Sequence, residues 1–485
     1  MAALLGVLSL ILFSIGARTR LLHGTLAGDE PHYLVFNVAM EKYRSFDIAA
    51  VYRNRDYWSF YPGWIEPHLV SGPAGQLPLH SAGGPVLWHI PYLLWDHGGA
   101  MGFIAVVSAL TVVNIYYLLR ELGIVRTYAG IVTALFAVGT PLYIFSSMLF
   151  IEPIGALAVI YAVRVVCGRT IGGWRLVVAA TGLGIIPWVQ GRFALFTVTL
   201  GALLLWRVWR TAGRRSVVPY LQLVVPLVVF FGGLELYNLV TFGTLSPAPG
   251  NATKGDDILV VPVYKGLFYI LLDRSYGLIA NHPLFALVLP GVFLTMRRRL
   301  LPIHLVLGVT VLPYLLGTAT YNQWWAGYAP AARFLVVLTP LLAFYVAAAL
   351  QRLHHWTVTA LAVALALFSG ALSVAMTTIP PLRWNWPEWS QGQPMDVVGQ
   401  YVGLPFVRFV PSAFLPDQVW TFAWWAIALS ALTALLWWVG RSGPADRLPV
   451  PDLEGGARPP TGPGTPPTGP GTAAVVSGGP APGSG

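Results

Sequence analysis

Apolar runs long enough to cross a lipid bilayer recur along the whole chain, as in residues 100–119, 127–150, 217–240 and 419–440, and about 20 such residues span the hydrocarbon as a helix. Backbone polar groups in hydrocarbon must be hydrogen-bonded internally, so a spanning segment is either a helix or a strand of a closed barrel. Barrel strands alternate apolar and polar residues, whereas these runs are continuous, so helices are implied. With 56% of 485 residues hydrophobic and only 10% charged, the chain reads as an all-α polytopic membrane protein. Twelve spans are expected, centred near residues 9, 110, 138, 160, 182, 200, 229, 290, 308, 342, 368 and 430. The least regular stretch, 176–206, is divided at "QGR" (Gln190 to Arg192) into two helices of about 14 residues, shorter than the usual span.

That division brings the basic clusters to one side. "RVWRTAGRR" (207–215), "RRR" (297–299) and Arg352 then share a face with Arg120, Arg126, Arg169 and Arg175. With Arg164 and the tail, sixteen of the 29 Lys and Arg lie there, against four of the 19 acids: Glu121, Asp446, Asp452 and Glu454. The positive-inside rule makes this face cytoplasmic, with both termini, in a cell-membrane protein. The opposite face carries most acids, in segments 18–99, 241–282, 318–333 and 376–418, so the chemistry is expected outside. The net charge of +10 therefore orients the chain and meets anionic lipid, and gives no reason to expect nucleic acid.

Two further features concern processing and redox chemistry. The first 17 residues lack a basic start and an A-x-A-like cleavage site, so they read as an uncleaved first span. The lone Cys167 excludes an intramolecular disulfide and a thiolate zinc cluster, leaving a small apolar filler. Residues 1–440 form the membrane domain. From 441 to 485 the chain is rich in Pro, Gly and Thr, with "PPTGPGT" twice in tandem, and is expected to be a disordered cytoplasmic tail.

The first outer segment opens with "GDEPHY" (28–33), two adjacent carboxylates beside a membrane. Pro31 suits a first helical turn, and Leu34, Val35, Val38 and Tyr43 follow at helical spacing, which predicts a short amphipathic helix at the interface. One role for Asp29 is to cap that helix through its side chain.

A second role comes from resemblance. An Asp-Glu pair directly past the first span, ahead of a long aromatic-rich outer segment, resembles the GT-C glycosyltransferases, which include protein O-mannosyltransferases, aminoarabinose transferases and arabinosyltransferases. More closely, "DEPHYL" with "FDIAAVYRNRDYWSF" and "LHSAGGP" is similar to a set of bacterial members of that superfamily. "DRSYGLIANHPLF" (273–285) and "NQWWAGYAPAARFL" (322–335) resemble two further motifs of the same set, although "APAARFL" replaces the usual Gly-Pro-Arg. The resemblance implies a GT-C-like helix arrangement, a long first external loop with short interfacial helices, and sugar transfer from a polyprenyl-phosphate donor to an acceptor hydroxyl on a glycan, lipid or protein.

That chemistry assigns roles. An outward-facing transferase needs a lipid-delivered donor, a base for the acceptor hydroxyl and cationic groups for the departing phosphate. Asp29 is the candidate base, and Glu30 positions the loop or the acceptor, with Asp47 as a further carboxylate. Arg192, Arg274 and Arg333 are the candidate phosphate ligands, with interfacial anchoring as their plainer role. Glu152 and Glu235, near the outer span ends, are expected to pair with arginines, Glu235 as a structural ion pair and Glu152 also as a candidate for substrate or donor binding. His80 is a candidate substrate contact. Trp324 and Trp325 suit either a sugar platform or the interfacial belt that Trp58 and Trp64 suggest. His32, His80, His89 and His282 show no H-x-x-x-H or H-E-x-x-H spacing, so no zinc site is expected; no cofactor is indicated, and a role for a divalent cation is left open. "NAT" (251–253) matches a glycosylation sequon and is uninformative. The rival readings are a transporter or flippase of lipid-linked glycans, which would hold ionisable residues mid-span, and a glycan polymerase or ligase working at the same face.

Overall fold

The computed structural model describes residues 1–23, 26, 28–212, 216–245, 261–379, 403 and 409–441. The repeated "PPTGPGT" tail, the "NAT" sequon, Arg214 and most of the last outer segment lie outside the described residues.

The protein is an all-α multi-pass membrane protein. Its main helices are α1 (Ala2–His23), α2 (Glu30–Val38), α3 (His89–Glu121), α4 (Arg126–Gly139), α5 (Glu152–Cys167), α6 (Gly173–Val189) and α7 (Ala194–Ala212). They continue as α8 (Val218–Phe242), α9 (Val263–Leu272), α10 (Val288–Thr295), α11 (Leu301–Thr320), α12 (Thr339–Leu353), α13 (Trp356–Thr378) and α14 (Val419–Gly440). Each of the twelve expected centres falls inside one of these helices. Among the described residues, seven helices are long and apolar enough to cross a bilayer, on α1, α3, α7, α8, α11, α13 and α14.

The shorter elements lie among the longer ones. In α12 every residue but Leu342, Gln351 and Leu353 is buried, and its Ala343 and Ala347–Ala349 are small enough for neighbouring helices to approach closely. A helix so enclosed packs against protein and need not match the hydrocarbon thickness. In contrast α8 exposes Val228, Val229 and Leu236, and α14 exposes Trp424, Ile427 and Leu435, apolar faces that suit lipid. The expected break at "QGR" is present: α6 ends at Val189, Gln190 is extended, and Gly191–Phe193 turns tightly into α7. Pro187 near the end of α6 and Gly191 beyond it are the local reasons. Cys167 is buried at the end of α5, in keeping with a filler.

The first outer segment folds back on itself. After α2 a wide turn at Ala39–Tyr43 ends on left-handed Arg44 (φ 52°), and strands β1 (Leu69–Gly72) and β2 (Gly75–Pro78) form an antiparallel hairpin with Leu69 opposite Pro78. Gly75 has φ +113°, and a Cβ there would lie 2.3 Å from an Asp47 carboxylate oxygen, so this corner requires glycine. All nine residues of α2 are buried. The helix is therefore roofed by the rest of the segment, not laid on the membrane with one polar face open, because the Asp56–Ser59 and Gly83–Leu87 turns pack on it and His68 stacks on His32.

Candidate active site

Glu152 begins α5, Arg192 follows the end of α6 and Arg333 precedes α12, so the three lie at the same end of the bundle as the first outer segment. There Arg192 and Arg333, with Glu152 buried behind them, border a cavity of about 530 Å³ whose lining also includes Asp29, His68, His80, Gln190, Tyr314 and Gln323. At the opposite end of α3 and α5, Arg164 grips Glu121 through Nε (3.0 Å) and Nη2 (2.6 Å).

Asp29 reaches the cavity because the chain turns sharply just before it. Gly28 is left-handed (φ +56°), and a Cβ there would lie 2.3 Å from the Tyr328 carbonyl oxygen. The Asp29 carbonyl accepts from Tyr33 N at 3.2 Å as α2 begins, but the side chain makes no capping hydrogen bond. It turns instead to Arg333, whose Nη2 donates to Asp29 Oδ2 at 2.5 Å across 304 residues of sequence. The carboxylate is 25% exposed, open to the cavity. Burial alone would raise its pKa, but the Arg333 guanidinium, with smaller contributions from His80 and His32, holds it well below the usual carboxylate range.

Arg333 is the hub. Its Nε donates to Glu152 Oε1 at 2.9 Å and its Nη1 to the Ala326 carbonyl at 3.1 Å, while the guanidinium sits 4.3 Å over the Phe150 ring. Arg192 donates to the same Glu152 oxygen at 2.8 Å and lies 4.0 Å over Phe334. Glu152 is fully buried, so one carboxylate oxygen binds two guanidiniums. Its Oε2 and the Nε of Arg192 have no hydrogen-bond partner among the described residues. The expected pairing of Glu152 with arginines is thus realised, and the four groups Asp29, Glu152, Arg192 and Arg333 sum to zero formal charge.

Beside Asp29 three histidine rings gather. His32 Nδ1 lies 2.9 Å from the Tyr52 hydroxyl, His68 Nδ1 lies 3.0 Å from His80 Nε2, and His80 Nδ1 is 4.0 Å from Asp29 Oδ2. The His32 and His68 rings stack with centroids 3.9 Å apart. Burial, with His68 and His80 nearby, pushes His32 down to about 3, so that ring is neutral at ordinary pH.

No protein-family model matches the chain, and no curated protein matches it. Among solved structures the chain is similar to the archaeal oligosaccharyltransferase AglB from Archaeoglobus fulgidus in complex with an inhibitory peptide and a dolichol-phosphate, at 13% identity and a TM-score of 0.42 over 77% of this chain. It is also similar to the apo form of the Archaeoglobus fulgidus oligosaccharyltransferase, at 12% identity and a TM-score of 0.43 over 88% of this chain. The chain spans 56% and 64% of those two structures. Overlap this partial leaves the function to be read from the side chains themselves.

Several expected site residues lie elsewhere. Glu30 is fully buried and ion-paired to Arg20 at the end of α1, and it accepts from Leu149 N at 2.8 Å. It ties the first span to the chain entering α5, which makes it a brace for the loop and removes it from the cavity wall. Asp47 accepts from Ala49 N at 2.8 Å and braces the Gly75 corner, a local turn role. Arg274 is buried away from the cavity lining, with its backbone N donating to Pro411. Trp324 is buried in an aromatic cluster with Tyr269, Tyr276 and Phe414, and Trp325 packs edge-on against it. Neither tryptophan lines the cavity, so neither is a sugar platform there. Trp58 and Trp64 are exposed, as belt residues would be. Glu235 has no ion pair among the described residues, against expectation. Sequence reading missed His68, Tyr52, Gln190 and Tyr314; only the spacing of His68 from His80 across a Gly-containing turn hinted that a hairpin pairs them.

Proposed function

We propose that this chain is a GT-C-type membrane glycosyltransferase that moves a sugar from a polyprenyl-phosphate donor to an acceptor hydroxyl at the outer face of the cell membrane. The observation that carries the reading is the Asp29 side chain, which forgoes the cap of its own helix and is held at the cavity by Arg333. A capping aspartate has no use for such a partner, whereas a catalytic carboxylate needs orientation and ionisation together. The "DEPHYL" resemblance supports the same assignment.

In this mechanism the acceptor hydroxyl binds at Asp29 Oδ1, since Arg333 and His80 both approach Oδ2. As the new glycosidic bond forms at the anomeric carbon, the hydroxyl proton passes to Asp29. The bond to the lipid phosphate breaks, and the phosphate oxygen keeps the electron pair. Arg192 is the group to receive that developing charge, because it lines the cavity and its side chain, 22% exposed, is more open than the 7% exposed Arg333. Arg333 makes Asp29 a well-aimed but weak base, which suits an acceptor that becomes acidic only as its new bond forms.

The test is mass spectrometry of polyprenyl-phosphate sugars incubated with the purified protein. The wild type should release free polyprenyl phosphate, and Asp29→Asn should do so about 100- to 10,000-fold more slowly, the usual range for general-base catalysis. An Asn variant of near-normal rate removes Asp29 as the base. A wild type that carries the intact lipid-linked sugar across a bilayer without cleaving it would favour a flippase.

A further inference from the structure

We propose that His32, His68 and His80 bind a divalent transition metal of the zinc class, with the fourth coordination position open to the cavity. Each residue offers one ring nitrogen, and the three nitrogens lie within 4.8 Å of one another. One pair, His68 Nδ1 and His80 Nε2, is 3.0 Å apart. Two nitrogens bound tetrahedrally at about 2.05 Å from zinc stand about 3.3 Å apart. The His68–His80 pair is thus already near ligand spacing and no pair exceeds 4.8 Å, while the His32 and His68 rings, now stacked face to face, must turn relative to each other for one ion to lie in the plane of both.

The fold explains why the three meet. His68 and His80 lie just beyond the paired ends of the β1–β2 hairpin, where Leu79 N donates to the His68 carbonyl at 3.1 Å, so His80 follows the residue opposite His68 and the two are diagonal neighbours. His32 comes from the first turns of α2 beneath them. Its Nδ1 is held by the Tyr52 hydroxyl at 2.9 Å, leaving Nε2 for a metal, as in metal-bound histidines whose second nitrogen is fixed by an outer partner. Three neutral nitrogens favour zinc, cobalt or nickel over magnesium or calcium, which prefer oxygen. His68 and His80 line the cavity, so the remaining position faces it. Three protein ligands with an open fourth position are the arrangement of catalytic zinc sites.

Charge supplies an independent reason. Asp29 and Glu152 already neutralise Arg192 and Arg333, so an anionic donor entering this cavity meets no net positive charge from those four groups. A divalent ion beside Asp29 restores it. This last step rests on the glycosyltransferase reading, while the metal site itself does not.

The experiment uses the full chain in detergent, stripped with a chelator and titrated with Co²⁺. One equivalent of Co²⁺ should bind with the visible absorption of a tetrahedral site, and Zn²⁺ should displace it and raise the melting temperature. His68→Ala and His80→Gln should each lose the absorption and the thermal shift, and Tyr52→Phe should bind about 10- to 100-fold more weakly as an outer-partner loss. Binding that is absent in the wild type, or unchanged in both histidine variants of normal size-exclusion profile, overturns the site. Because binding is read without turnover, a metal-loaded protein that transfers no sugar refutes the enzyme and keeps the site, and full transfer by a protein that binds no Co²⁺ does the reverse.

Discussion

Glu152→Ala is the substitution from which most can be learned about the buried charge cluster. The wild-type carboxylate has no exposure and holds Arg192 at 2.8 Å and Arg333 at 2.9 Å through one oxygen. With an effective dielectric of about 20, each contact has a gross Coulomb energy of roughly 6 kcal/mol. Desolvation offsets most of that, and removing one partner of a buried pair typically costs about 3–5 kcal/mol because the remaining charges stay uncompensated. Arg333 is the group left worst off, at 7% exposure against 22% for Arg192, although it retains Asp29. At no more than about 2 °C per kcal/mol for a chain this long, the apparent melting temperature should fall by roughly 5–10 °C. The assay is thermal unfolding of the purified protein in detergent, with Glu152→Gln and the double variant Glu152→Gln/Arg192→Gln. The double variant should lose less than the sum of the single losses, since it removes a positive charge together with the negative one. A Glu152→Ala variant that melts with the wild type, or losses that simply add, would refute the bridged geometry.

Other outcomes follow from the same geometry. Asp29 is held below the usual carboxylate range, so its pair with Arg333 stabilises the fold fully above the unfolded-state carboxylate pKa and is lost only as pH falls through the lower folded value. Transfer measured between pH 5 and 9 should therefore show no limb that vanishes in Asp29→Glu. Glu30→Gln should lower thermal stability by about 3–5 kcal/mol, by breaking its buried pair with Arg20, while per-molecule turnover of the folded fraction stays within a few-fold; a catalytic-scale loss would return Glu30 to the site. Gly75→Ala forces a side chain into left-handed backbone against Asp47 and should cost about 1–3 kcal/mol and separate His68 from His80, read as lost Co²⁺ absorption. In a Cys167→Ala background, cysteines at the exposed Trp58 and Trp174 positions should label from opposite sides of the membrane; labelling from one side refutes the twelve-span order.

Much of the scaffold was legible because membrane spans are written locally. A helix in lipid satisfies its own backbone and shows its length and apolarity in consecutive residues, so the centres of the spans, and the division at Gln190–Arg192, could be read without knowing any neighbour. The candidate base was legible for a similar reason, since "GDEPHY" joins a helix start to an acidic pair just past a span. Its partner was named but not its pairing. Arg192 and Arg333 could be singled out as charges at apolar junctions, yet that both converge on Glu152, and that Arg333 also takes Asp29, depends on residues 181 and 304 positions apart meeting in space.

Tertiary packing decided the rest. Asp29 and Glu30 are adjacent in sequence and equal in charge, but a helix start points successive side chains about 100° apart, so one faces the cavity and the other Arg20. Arg274 and Trp324 carried motif-like sequence and went into the protein interior instead, against Asn281, Tyr276 and Phe414, with Trp325 half-buried beside them. The histidine cluster had no sequence signature of the usual kind, since its spacing is set by a hairpin register and not by one helix face. The chain alone determined what must cross the membrane and which residue types gather at one end; only the packing of those ends decided which charges neutralise each other and which remain turned to a ligand.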